Sequence, residues 1–147
     1  MAEMNIPDMV AHAVLSTRSD AIIASDRSGT IIFWNVGAER IFGYSAACAI
    51  GQSLDIIIPH NLRQRHWEGY RHVMETGNSR YGDGDVLAVP GLRKDGSRIS
   101  LEFTVSLLRD EHGQLAGIAA VLRDVTQRFE EMRALRRKIA QRDAATG

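Results

Sequence analysis

"IIASDRSGTIIFWNVGAERIFGY", residues 22–44, holds two apolar runs, a break between them and a helical pattern at its end. Ile22 and Ile23, then Ile31, Ile32 and Phe33, are β-branched or aromatic, and Asp26-Arg27-Ser28-Gly29 between them has the chemistry of a turn. The segment therefore predicts a β-hairpin. Asn35 is a good helix cap, Val36, Arg40 and Ile41 follow in helical order, and Gly43 supplies a stop. A hairpin that runs straight into a helix sets a mixed α and β organisation from the outset.

Outward from this stretch the pattern continues. Upstream, Pro7 and the apolar positions Met9, Val10, Ala13 and Val14 predict a short amphipathic helix ending near Thr17, so residues 1–17 read as an N-terminal helix. Downstream, Ser45 begins a short helix that Gly51 ends. Pro59 and Asn61 introduce a longer helix from about Leu62 to Glu75, stopped by Thr76-Gly77. GDVLAVPGLR, GSRISLEFTVSLLRD and QLAGIAAVLRD then read as three strands separated by turns at 93–96 and 111–113, with Pro90 at an edge or a bulge. Two early and three late strands make one antiparallel five-stranded sheet most simply if the helices lie together over one face, an α+β fold. Residues 18–124 form that domain.

The chain has 147 residues, 44% hydrophobic, enough for one domain with a single core. Eighteen basic residues balance eighteen acidic ones, so no net charge draws it to nucleic acid or to an acidic membrane; Arg63, Arg65 and Arg71 are a candidate local patch. No apolar run suggests a membrane span and MAEMNIPD lacks the regions of a signal peptide, so the expected location is the cytoplasm. The lone Cys48 excludes an internal disulfide and reads as a small core or helix residue. The aspartates fall mostly at turns and caps, and no nucleophile–base pair or phosphate loop is present, which argues against an enzyme.

In order along the chain, "IIASDRSGTIIFWNVGAERIFGY", "AIGQSLDIIIP", "LRKDGS" and "VLRDVTQR" resemble the successive signatures of a PAS domain over roughly residues 18–128. The resemblance implies the PAS fold, a sensory or protein-interaction role in signal transduction, and a ligand cavity between the inner sheet face and the helices. The helix in "IPHNLRQRHWEGYRHVMETG", residues 58–77, is similar to that of the haem-binding PAS domains of bacterial oxygen sensors. That similarity implies haem b as cofactor with His66 as the axial iron ligand, Trp67 and Tyr70 flanking the macrocycle, and His72 and Arg80 near the propionates. Gly69 stands where those domains carry a bulky residue. GDGDVLAV, residues 82–89, holds neither Arg nor Met for the distal side, which leaves Leu87, Phe103 and Val105 as an apolar lining. "RHWEGYRHVMETGNSR" is also similar to a widespread PAS variant with no haem, in which the histidine is structural, so both readings of His66 stay open. His12, His60 and His112 read as surface or turn residues. Cys48, in Ala-Ala-Cys-Ala-Ile, does not match the reactive cysteine of the flavin photoreceptor branch, and Trp34 reads as packing.

The C-terminal residues 125–147 place Val125, Met132 and Ile139 seven apart with Leu135 between the last two, while Arg128 interrupts the seam. This is a short coiled-coil helix suited to a homodimer through the terminal helices. By resemblance it passes the state of the domain, through Asp124, Val125 and Thr126, to an output domain such as a histidine kinase or a cyclic-nucleotide enzyme. A cavity filled by the domain's own side chains would instead make the chain a ligand-free dimerisation module.

Overall fold

The computed structural model describes residues 5–78 and 87–146. Helix α1 (Ile6–Leu15) begins where Asn5 Oδ1 accepts from the Asp8 amide at 2.9 Å and Pro7 occupies the first turn. It stops two residues earlier than the apolar spacing predicts. The Ser16 amide and hydroxyl both bond back to the carbonyl of His12, at 3.1 and 2.7 Å, and close the last turn. None of its residues is buried.

Strands β1 (Ala21–Asp26) and β2 (Ile31–Trp34) form the predicted hairpin. Asp26 Oδ1 accepts from the Ser28 amide, the Ser28 hydroxyl and the Thr30 amide, at 2.9, 2.7 and 3.0 Å, so one carboxylate organises the whole turn. Helix α2 (Val36–Phe42) follows, capped by Asn35. Its second residue, Gly37, sits so close to the chain before β1 that a Cβ there would fall 1.8 Å from the carbonyl oxygen of Asp20. Helix α3 (Ala46–Ala49) is capped by Ser45; Cys48 lies on it but is exposed, because this single turn packs Ala49 and, in part, Ala46 against the core.

Two 3₁₀ turns, Leu54–Ile57 and His60–Leu62, lead into α4 (Arg63–Thr76), which ends on Gly77 in the left-handed conformation. Strands β3 (Leu87–Leu92), β4 (Arg98–Arg109) and β5 (Leu115–Asp124) complete one antiparallel sheet in the order β2-β1-β5-β4-β3, and α5 (Thr126–Thr146) leaves β5 directly. Pro90 lies on β3, an edge strand, as a residue without a ladder donor should. At the opposite edge β2 is covered by a loop: the Ile31 amide donates to Gln52 O and the Gly51 amide to Ile31 O, both at 2.8 Å.

The core lies between the sheet and the crossing from β2 to β3. Ala21, Ile23, Ile31, Trp34, Ile99, Leu101 and Leu122 meet Ala38, Ile41, Phe42, Leu54, Ile57, Tyr70 and Met74, and all are buried. Burying these side chains is the main favourable contribution to folding. Among the described residues no helix is long and apolar enough to cross a membrane.

Candidate functional site

Helix α4 starts without a side-chain cap. The Arg63 guanidinium is spent on the segment before it, donating to Ile58 O and Asp55 O at 3.1 Å each, so Arg63 is an internal tie and not part of a basic patch with Arg65 and Arg71. The helix turns Tyr70 and Met74 fully inward, with His66, Trp67 and Val73 partly buried on the same side. Trp67 Nε1 donates to Asp55 Oδ1 at 2.7 Å. Tyr70 Oη donates to the carbonyl of Asp26 and lies 2.8 Å from Ser25 Oγ, which leaves Ser25 as the donor in that pair. Burial pushes the Tyr70 hydroxyl above its usual range, partly offset by Ser25, so it stays protonated and able to donate.

His66 packs against both of these rings, which also meet each other at 5.3 Å between centroids. Its centroid lies 4.7 Å from that of Trp67, edge to face, and 5.8 Å from that of Tyr70. Its Nδ1 is buried and has no hydrogen-bond partner among the described residues. Burial lowers the imidazole pKa, and the nearby Asp55 carboxylate recovers only part of that. The ring is therefore neutral near pH 7, the form that can offer a lone pair to a metal. Among the described residues no group of three or more His, Cys, Asp or Glu side chains is arranged to hold a metal ion. A metal at His66 would have to bring its remaining ligands with it. An iron porphyrin does so, and in that respect the residues present fit the group.

The remaining sequence-derived candidates separate. Phe103 and Val105 alternate with buried Leu101 along the inward face of β4, Phe103 packing against the core, and both are half-buried. His72 is exposed and lies about 120° around the helix from His66, by the 3.6-residue repeat. Arg80 and the side chain of Leu87 lie outside the described residues. Tyr70 meets the His66 ring, but its hydroxyl is committed to the hairpin.

The segment Asp124, Val125 and Thr126 forms a compact junction. Asp124 Oδ1 accepts from the Thr126 amide at 3.0 Å and from its hydroxyl at 2.5 Å, which caps α5. Thr126 Oγ1 accepts from the Ser100 amide at 2.9 Å, and the Val125 amide donates to Ser100 O at 2.9 Å, tying the helix start to β4. Arg93 Nη2 donates to Asp124 Oδ2 at 2.8 Å. Burial would raise the Asp124 pKa, but the bonds from Thr126 and Arg93 outweigh it and hold the carboxyl below its ordinary value. Arg27 provides a second tie: Nη1 reaches Leu115 O at 2.9 Å and Nη2 reaches Met74 O at 3.2 Å, joining the far end of α4 to the start of β5. Sequence reading had no means of pairing Arg27 or Arg93 with these partners, 88 and 31 residues away.

Comparison with known proteins agrees with this architecture. A family model described as PAS fold matches residues 15–130. The oxygen sensor protein DosP of Escherichia coli K12 is 30% identical over 107 residues, covering 73% of this chain and 13% of DosP. The sensor protein FixL of Bradyrhizobium diazoefficiens is 30% identical over 115 residues, covering 78% of this chain and 22% of FixL. The chain spans less than a quarter of the length of the curated relatives it matches. Among solved structures, the PAS domain of a protein from Colwellia psychrerythraea superposes with a TM-score of 0.71 at 27% identity, over 84% of this chain and 99% of that one. With its hairpin, its crossing helices and its five-stranded sheet all falling inside the matched residues, the chain belongs to the PAS family.

Proposed function

We propose that residues 18–124 form a sensor domain of a cytoplasmic signalling protein, that its ligand is haem b held by His66, and that the state of the site passes through Asp124, Val125 and Thr126 into paired C-terminal helices and on to an output domain such as a histidine kinase or a cyclic-nucleotide enzyme. The observation that carries this reading is the neutral, inward-turned imidazole of His66, whose Nδ1 is buried and unpartnered. Buried polar atoms are nearly always hydrogen-bonded, so an unsatisfied one calls for a partner, and a ligand bound at the ring is one such explanation. Similarity to DosP, a protein named for oxygen sensing, supports the choice of ligand.

In this role His66 binds the iron, while Trp67 and Tyr70 fix the plane of its ring. Phe103 and Val105, half-buried on the inward face of β4, would line the sheet side; the parts of Leu87 in that lining and of His72 and Arg80 toward the propionates are carried by the family resemblance alone. Bound haem would supply an iron able to take up a diatomic gas. Homodimerisation is supported by Ile6, Met9, Val10 and Val14 on α1 and by Phe129, Met132, Leu135 and Ile139 on α5, all large apolar side chains left exposed.

The test is an absorption spectrum of the chain prepared with haem supplied, beside a His66→Ala variant whose fold is checked by circular dichroism. A Soret band in the wild type that is lost in the variant is the expected result. No band in either would overturn the haem assignment. It would favour the second reading, a ligand-free dimerisation module, for which the complete burial of Phe42 and the near-complete burial of Leu54 and Ile57 already speak.

A further inference from the structure

A cleft of about 520 Å³ opens between the end of α2 and the turn that joins β3 to β4, on residues distinct from His66 and its neighbours. Arg40, Arg93 and Lys94 line it together with Ile41, Phe42 and Asp95. Ile41 and Phe42 are almost completely buried, so the surface offered to a ligand is chiefly the charged rim. Three cations face one carboxylate there. Asp95 Oδ1 accepts from the Ser97 amide at 2.9 Å and the Ser97 hydroxyl at 2.6 Å, which fixes the carboxylate on its own turn while its charge remains near Arg93.

The cations retain unspent donors. Arg40 gives Nε and Nη2 to Arg18 O and Ser19 O, at 2.7 and 3.1 Å, which fixes the guanidinium and leaves Nη1 uncommitted among the described residues. Lys94 is exposed, its Nζ 5.9 Å over the ring of Tyr44, and it makes no ion pair among the described residues. Its backbone amide donates to Phe42 O at 2.9 Å, which locks the turn against α2 and holds the cleft open. Arg93 uses Nη2 on Asp124, while its Nε is buried with no partner among the described residues. A guanidinium with unused N–H groups is suited to a carboxylate or phosphate, whose oxygens match its fork.

We infer that this cleft binds a compact dianion, a phosphate or a short dicarboxylate, and that the bound anion competes with the Asp124 carboxylate for Arg93. Asp124 also caps α5, so an anion that competes for Arg93 acts on the helix junction. By reciprocity, whatever loosens Asp124 from Arg93 tightens the cleft for its ligand.

The experiment is a titration of the ¹⁵N-labelled 147-residue chain with sodium phosphate and, separately, sodium succinate, at ionic strength held constant with sodium chloride. The amides of Gly43, Lys94, Gly96 and Thr126 are followed. Saturable shifts are expected with at least one of the two anions, and the one that binds more tightly distinguishes a phosphate from a dicarboxylate site. Lys94→Ala should weaken binding by about two- to fivefold. Arg93→Gln should abolish it, and Asp124→Asn, by freeing the guanidinium, should strengthen it. Shifts that chloride alone reproduces, binding unchanged by Lys94→Ala and Arg93→Gln, or weaker binding in a folded Asp124→Asn protein would each overturn the inference. Lys94→Ala sits on an exposed turn and keeps the test decisive if either junction variant fails to fold.

Discussion

The indole of Trp67 closes over the α-carbon of Gly29: a Cβ built on that glycine would lie 2.2 Å from two carbons of the ring. Gly29 also has φ of 83°, a conformation that costs an L-residue about 1–2 kcal/mol. Gly29→Ala therefore has to displace the ring as well, a further cost of about 1–3 kcal/mol. The expected loss is about 2–5 kcal/mol in urea unfolding, accompanied by a change in tryptophan emission as Nε1 leaves Asp55. A variant of unchanged stability would mean that the indole does not rest on the hairpin.

Asn35 does more than cap α2. Its Oδ1 accepts from the Ile22 and Ala38 amides at 2.8 and 2.9 Å, and its Nδ2 faces the carbonyls of Leu15, Thr17 and Asp20 at 3.1–3.2 Å. Aspartate is as good a helix cap as asparagine in general. Here it would aim a buried carboxylate oxygen at three carbonyls, so Asn35→Asp should destabilise by about 3 kcal/mol or more, no less than Asn35→Ala. Denaturant midpoints at neutral pH decide the order. A well-tolerated aspartate would show that the Nδ2 contacts contribute little.

The neutral state of His66 has a signed consequence for stability. The unfolded chain takes up a proton near the ordinary pKa of 6.5, whereas the folded chain does so only at lower pH because the ring is buried. Between those two values the unfolded state binds more protons, and stability falls as pH drops. Above 6.5 the residue contributes no slope. Unfolding midpoints taken between about pH 7.5 and 5 should fall more steeply for the wild type than for His66→Gln. Equal slopes would place the imidazole in water.

Asp124 works in the opposite direction. Its folded pKa lies below the ordinary 3.8, so its contribution is fully present above that value and is lost as pH falls through the lowered one. Asp124→Ala removes the cap on Thr126 and the Arg93 pair together. A cap contributes about 1 kcal/mol and a partly exposed ion pair no more than about 1, which sets the expected loss at about 1–2 kcal/mol. Hydrogen exchange should quicken first in the opening turn of α5. If Asp124→Ala still relayed ligand occupancy to that helix, the proposed route would be wrong.

Leu135 is a large apolar side chain exposed midway along α5. In a homodimer paired through that helix, Leu135→Glu should shift sedimentation toward the monomer and leave the circular dichroism of the domain largely intact. A wild-type chain already monomeric at tens of micromolar would exclude the paired helix.

Much of the fold is legible because its determinants are local. The Asp26–Gly29 turn, the Asn35 and Ser45 caps, the Gly43 and Gly77 stops and the edge position of Pro90 each depend on a few neighbouring residues, and all appear where the spacing puts them. The candidate site is less so. Phe129, omitted from the seven-residue seam, is as exposed as Met132 and Ile139. Cys48 reads as a small core or helix residue, and only the orientation of the single turn of α3 shows that it is exposed. The commitment of the Tyr70 hydroxyl to Ser25 and Asp26, and the tie from Arg27 to Met74 and Leu115, arise only when distant segments meet. Local sequence carries no trace of them.

Both rims of the sheet bear on how copies of this chain can meet. A bare strand edge invites lateral addition of another strand, the route by which sheets extend into insoluble fibres. The β2 rim is already occupied by residues 51–53, and the β3 rim carries Pro90, which has no N–H to offer. Growth by stacking strand upon strand is thereby discouraged at each end. Copies of such a protein are steered toward contact through their helices and sheet faces rather than by extending a shared sheet.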